Sequence, residues 1–280
     1  PQLRQIYASE ENNLTPTTDD RPFFNQHLRW SALRFEDLVS VFKKGREGRL
    51  ALEDAPVAET ALIVFVIQAA LLGALMLVLP LRAIRKQPAL RKARKGAFLV
   101  YFAALGIGFM LVELGLVQRL TVFIGPPTIA FATVVAVLLV GSGLGSRLSA
   151  SLDLRRALPV GVGAALTLTI VSTLVAPLVT EAALGAPLPA RLALAIALVA
   201  PVGIALGTPF PLGLRLVESR APGLIPWVWG VNGFASVVAS AASLLLATLV
   251  GFSGVLLGGA VAYAVALVTA VLLLNKPPKE

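Results

Sequence analysis

The stretch Ala97–Gln118, AFLVYFAALGIGFMLVELGLVQ, decides the fold, because it carries a single charged residue, Glu113, and is otherwise apolar or small. A run of this length crosses a hydrocarbon core of roughly 30 Å as a helix, since no water is present there to satisfy an exposed backbone. Apolar runs of similar length recur at 61–81, 128–146, 157–179, 192–214, 227–250 and 254–274. Together they predict an all-α membrane protein of about seven transmembrane helices. The membrane domain spans 57–275, behind a polar leader at 1–56 and ahead of a short tail at 276–280.

Composition agrees with that architecture and excludes several kinds of chemistry. Of 280 residues 57% are hydrophobic and 14% charged, which rules out a soluble enzyme for the bulk of the chain. Cysteine is absent and His27 is the one histidine, so thiolate nucleophiles, disulfides and Cys/His metal sites are unavailable. The net charge of +9 is a topology signal rather than a nucleic-acid footprint, because the basic residues cluster beside the apolar runs. Fourteen Lys and Arg fall in one alternating set of loops (82–95, 147–156, 215–220 and the tail), against Arg119 and Arg191 in the other. The positive-inside rule then puts the 82–95 loop and the C-terminus in the cytoplasm, with 82–95 anchored on anionic lipid. With seven crossings the leader lies outside, whereas an even number returns it to the cytoplasm.

The leader carries turn signals at Asn12-Asn13, Pro16 and Asp20-Arg21-Pro22. Leu28, Trp30, Leu33, Phe35, Leu38 and Phe42 then predict an amphipathic helix, packed on a soluble domain or lying on the membrane surface. His27 and the Asp19-Asp20 pair lack the further ligands of a metal site and are expected to be solvated loop residues.

Within the spans, Glu113 admits two readings. A carboxylate in lipid is costly, so it serves either a proton, cation or amine site or a structural pairing with Arg119 or another polar group. Gln118 and Arg119 follow one turn later and complete a candidate intramembrane polar site with Asn232. The fifth run holds Pro201, Gly203, Gly207, Pro209, Pro211 and Gly213, which predicts a kinked or broken helix; broken helices build substrate sites in many transporters. Gly141-Ser142-Gly143-Leu144-Gly145-Ser146 follows an apolar run rather than a strand, so Gly141 and Gly145 are expected at a close helix contact rather than in a phosphate loop. Ser236, Ser240 and Ser243 form a comparable stripe of small residues. Trp227 and Trp229 suit the head-group layer, and the Asn232 amide between Gly230 and Gly233 predicts a hydrogen bond across helices or a ligand contact.

Five ordered segments are similar to one family. Thr18-Asp19-Asp20-Arg21-Pro22-Phe23-Phe24 with Leu28-Arg29, Gly108-Phe109-Met110-Leu111-Val112-Glu113 with Gln118-Arg119, Ser142-Gly143-Leu144-Gly145-Ser146, Gly207-Thr208-Pro209-Phe210-Pro211-Leu212-Gly213, and Trp227-Val228-Trp229-Gly230-Val231-Asn232-Gly233 resemble the C-terminal membrane part of bacterial multi-pass spermidine synthase-like proteins. The resemblance implies an inner-membrane location and an upstream α/β domain of the S-adenosylmethionine-dependent type, of which residues 1 to about 35 are the end. Pro1 in place of an initiator methionine fits that expectation. Such a domain implies aminopropyl transfer from decarboxylated S-adenosylmethionine to an amine, with its catalytic residues upstream and none carried by this chain. Three functions follow as expectations: a membrane region anchoring and coupling that domain, a module moving a polyamine or other small cation, or a structural anchor.

Overall fold

The computed structural model describes residues 17–23, 34, 36, 39, 41, 57–84 and 95–275, with side chains at 58 and 76–95 left undescribed. The expected amphipathic helix and His27 lie essentially outside these residues, as do most of the 82–95 basic run and the tail. Among the described residues from Val57 onward, seven α-helices follow one another: α1 (Val57–Ile84), α2 (Lys95–Ile124), α3 (Pro127–Ser149), α4 (Leu154–Ala182), α5 (Leu188–Leu206), α6 (Pro209–Arg220) and α7 (Ile225–Leu274). The one β feature among the described residues is an isolated bridge between Thr18 and Arg21. No α/β segment is therefore seen in the described part of the leader.

Among the described residues, five stretches are helical, long and apolar enough to cross a membrane: α2, α3, α4, the α5–α6 pair and α7. α1 is helical over Val57–Ile84, and the apolar stretch among its described residues runs over Glu59–Leu75. The sixth and seventh runs merge into α7, which is interrupted at Gly251 by φ 77° and ψ 173°. That conformation is essentially confined to glycine, and it reverses the chain.

Contacts with α2 show the reversal. Phe102 and Met110 meet Asn232 and Ser240, so residues 225–250 run alongside α2 in the same direction. Gly108 lies against Tyr263, while Gly115 lies against Leu256, so residues 252–274 run the opposite way. α7 is thus a helical hairpin clamped on α2, and Leu111, Ala239, Ala247, Phe252 and Val255 form a small core under its tip. The larger core joins α2 to α3, α4, α5 and α6 through Phe102, Leu116, Leu138, Val162, Val202 and Leu212, among others.

The glycine pair of α3 does what its spacing predicts. Gly141 packs on Gly203 and Ile204 of α5 and Gly145 on Ile204, while Gly207 packs on Ser142, so close that a Cβ would collide at Gly145 and Gly207 and press on the α5 backbone at Gly141. Between α2 and α3, Gly125 at φ 98° followed by Pro126 and Pro127 makes the turn.

Several arginines serve a role not expected from charge counting. Arg191 donates to the Phe123 carbonyl at 3.0 Å, Arg215 to the Ser149 carbonyl at 3.1 Å, Arg220 to the Leu273 carbonyl and Arg21 to the Leu249 carbonyl. Each acceptor lies at the C-terminal end of a helix or hairpin limb, where carbonyls have no intrahelical donor and the dipole favours a cation. These residues tie helix ends together. The ends also sort by charge, since Arg147, Arg155, Arg156, Arg215 and Arg220 all fall at the end that holds both termini of α7.

Candidate functional site

The break between α5 and α6 positions the site. Pro209 and Pro211 carry no N–H, so the carbonyls of Ala205 and Gly207 lose their helical donors. The Thr208 amide and hydroxyl replace the first, bonding the Ala205 carbonyl at 3.2 and 3.0 Å. The Gly207 carbonyl is left without a helical donor. The interruption is confined to Gly207–Thr208; Pro201, although also in the fifth run, lies within continuous α5.

Beside this break lies a cavity of about 430 Å³ between α2, α3, α6 and both limbs of α7. Gly106 and Phe109 of α2 line one wall and Ser142, Gly143 and Ser146 of α3 another; Gly207, Pro209, Phe210 and Pro211 form the floor, with Trp229, Asn232, Ser236 and Tyr263 completing it. Four of the five segments singled out in the sequence therefore converge on one space. Small residues make the space possible. At Gly106 a Cβ would meet Asn232 and Ser236, and at Gly213 it would meet Tyr101 and Phe102, so side chains there would push the walls apart.

The walls are braced by specific bonds. Tyr101 donates to the Pro209 carbonyl at 2.7 Å, and Asn232 Nδ2 donates to the Phe102 carbonyl at 3.0 Å, the cross-helix bond expected of that amide. Phe102, Phe210 and Trp229 stack edge to face, with centroids 5.2 and 4.7 Å apart. Trp229 reaches the surface, whereas Trp227 is buried in the core. Ser236, expected in a packing stripe, lines the cavity together with Ser142 and Ser146. Ser240 and Ser243 do pack, onto Met110 sulfur and the Ser240 carbonyl.

The other sequence candidates are dispersed. Glu113 lies one turn beyond Phe109, is half-buried, does not line the cavity, and forms no ion pair or hydrogen bond with a described residue. It does not pair with Arg119. Gln118 buries its side-chain oxygen with no partner among the described residues. Gly203 is in the α3 contact and Gly213 under Tyr101, both behind the cavity wall.

Arg119 is engaged elsewhere, in a clasp the sequence did not reveal. It donates to the Ser253 hydroxyl at 2.8 Å and faces Asp20 at 3.5 Å. Asp20 in turn accepts from the Ser253 amide and hydroxyl, both at 2.8 Å, while the Phe252 amide donates to the Asp20 carbonyl at 3.0 Å. Phe23 packs edge-on against Phe252 at 5.7 Å. Asp20 is thus no solvated loop residue. It caps the second limb of α7 at its N-terminus, where orphan amides and the dipole favour a carboxylate. Among the described residues no group of three or more His, Asp or Glu is placed to hold a metal ion. No protein-family model, curated protein or solved structure matches the chain.

Proposed function

We propose that this chain is the membrane domain of a multi-pass protein of a bacterial inner membrane, and that it works by holding a small molecule in the cavity beside the α5–α6 break. The observation that carries this reading is the convergence of Ser142, Gly207, Pro209, Asn232 and Ser236 on one cavity of about 430 Å³, a size suited to a small ligand. The convergence also supports the resemblance to the membrane part of spermidine synthase-like proteins, since four of its segments build a single feature.

In this reading the chain crosses seven times, through α1 to α4, the α5–α6 pair and the two limbs of α7. The basic end, with the C-terminus, faces the cytoplasm. Residues 17–23 are docked at the opposite end of α2, on Arg119 and the hairpin tip, and so face outward. That placement weakens one expectation. An upstream domain using decarboxylated S-adenosylmethionine needs a cytoplasmic supply of that cofactor, and a leader docked on the outer end does not lead there. A role in the membrane itself therefore stands ahead of anchoring an aminopropyltransferase. A path for polyamines or other small cations is the second reading, favoured by the half-buried Glu113, which has no ion-pair partner among the described residues.

Cysteine labelling tests the leading reading, because the native chain has no thiol. Ser236→Cys, in the cavity wall, is expected to react with N-ethylmaleimide, while Ser243→Cys, two turns on and 2% exposed, stays unmodified. Asp19→Cys is expected to react with an impermeant maleimide added outside intact cells. Equal protection of the Ser236 and Ser243 positions would remove the cavity from the argument, and an Asp19 position labelled only after lysis would reverse the topology.

A further inference from the structure

The cavity's own lining says which class of molecule it takes, an inference that rests on the cavity being a binding site. None of the residues that line it carries a charge. The polar groups it presents are hydroxyls, one amide and backbone of the α5–α6 break. A multiply charged amine brought there would lose its hydration without meeting a carboxylate, which is prohibitive in a low-dielectric interior.

Two of the polar groups are unused by the protein. Tyr263 is 1% exposed and lines the cavity, yet its hydroxyl bonds no described residue. The contrast is Tyr101, equally buried at 1%, which donates to the Pro209 carbonyl. A phenol that lines a cavity and bonds no described residue is free to donate to whatever occupies that cavity. Asn232 spends its Nδ2 on Phe102, while its side-chain oxygen accepts from no described donor. A donor and an acceptor are therefore available in the same cavity.

The rim shows the route. Leu139 of α3, 62% exposed, and Trp229 of α7, 55% exposed, belong both to the lining and to the outer surface. Beside them Val140 and Leu144 extend the same apolar, exposed face of α3. In a bilayer that face meets acyl chains, so the opening between α3 and the first limb of α7 is a side door from lipid.

We propose that the cavity takes an uncharged amphiphile from the bilayer, a long-chain molecule with an alcohol, amide or carbonyl head, which enters sideways between α3 and α7. Its head exchanges hydrogen bonds with the Tyr263 hydroxyl and the Asn232 side-chain oxygen. Its chain leaves past Leu139, Gly143 and Trp229.

The test uses the whole chain in phosphatidylcholine vesicles and a long-chain fatty alcohol bearing a photoreactive diazirine. Adducts are expected on the α3 and α7 peptides that contain Gly143 and Trp229, displaced by unmodified alcohol and not by spermidine. Gly143→Phe closes the door without crowding the fold, since nothing lies within 4 Å of a Cβ there, and should cut adduct formation about tenfold. Tyr263→Phe removes one hydrogen bond and should weaken displacement by the alcohol about fivefold. Adducts spread evenly over every lipid-facing helix, or unchanged by Gly143→Phe, overturn the proposal. So does displacement by spermidine in place of the alcohol. Ser236→Cys separates the two levels: if N-ethylmaleimide modifies it and only spermidine blocks the reaction, the ligand class fails and the cavity stands. If the reagent never reaches it, both fail.

Discussion

The chain interrupts an apolar helix twice, once at Gly251 and once at Gly207–Thr208, and the two interruptions have opposite fates. At Gly251 the protein fills the gap with its own leader. The amides of Phe252 and Ser253 go to Asp20, the Leu249 carbonyl accepts from Arg21, and Arg119 neutralises the Asp20 carboxylate. At the α5–α6 break Thr208 satisfies one carbonyl, Pro211 leaves the Gly207 carbonyl without its helical donor, and a cavity lies alongside. Irregular backbone at membrane depth survives only when buried in protein or facing a cavity. The first solution makes a joint and the second makes a place for something else to bind.

The largest expected effect is at the joint. Gly251→Ala forces a side chain into a backbone region that only glycine readily occupies and drives its Cβ against Asp20. It should cost about 3 kcal/mol, read as a large drop in the unfolding temperature of the detergent-solubilised protein. A near-native melt would break the comparison, because the hairpin would then not depend on that turn. Asp20→Ala should cost about 1–2 kcal/mol, through loss of the cap and of the two Ser253 bonds. Its partial exposure keeps the ion-pair share small. Asp20→Asn, which retains an acceptor for the Ser253 amide, should recover most of the loss. If both variants melt alike, the carboxylate's charge rather than its capping geometry holds the leader.

The same contrast explains what the sequence made legible. The helices were readable because each apolar run is a local property of 19 or more consecutive residues, and the Gly141/Gly145 contact because its spacing puts both on one face. The break in the fifth run was readable in kind but not in place. Six prolines and glycines marked it, yet Pro201 sits inside continuous α5 and the interruption falls at Gly207–Thr208, where Pro209 and Pro211 leave the Ala205 and Gly207 carbonyls without their helical donors. The clasp was invisible because Asp20 and Ser253 are 233 positions apart, and an aspartate in a turn looks the same whether solvated or capping a distant helix. Glu113 drew attention for its cost in lipid, yet the cavity is built from neutral residues such as Ser142, Ser236 and Tyr263, whose types give no signal until the helices bring them together.

Asn232 belongs to both solutions at once and gives the smallest and most discriminating prediction. Its Nδ2 bond to the Phe102 carbonyl is a joint between α7 and α2, while its side-chain oxygen remains available to the cavity. Hydrogen bonds across membrane helices contribute on average only about 0.6 kcal/mol, so Asn232→Ala should lower the melting temperature barely, far less than Gly251→Ala. Its effect on the reactivity of Ser236→Cys should be larger, because the neighbouring wall at Gly106 rests against the Asn232 side chain and backbone. With the amide gone, the alanine leaves more room, and N-ethylmaleimide should react faster at the Ser236 position. A substitution that leaves the melt intact and speeds labelling places Asn232 with the open break. One that lowers the melt strongly and leaves labelling unchanged places it with the closed one, and the division between the two interruptions would then have to be drawn elsewhere.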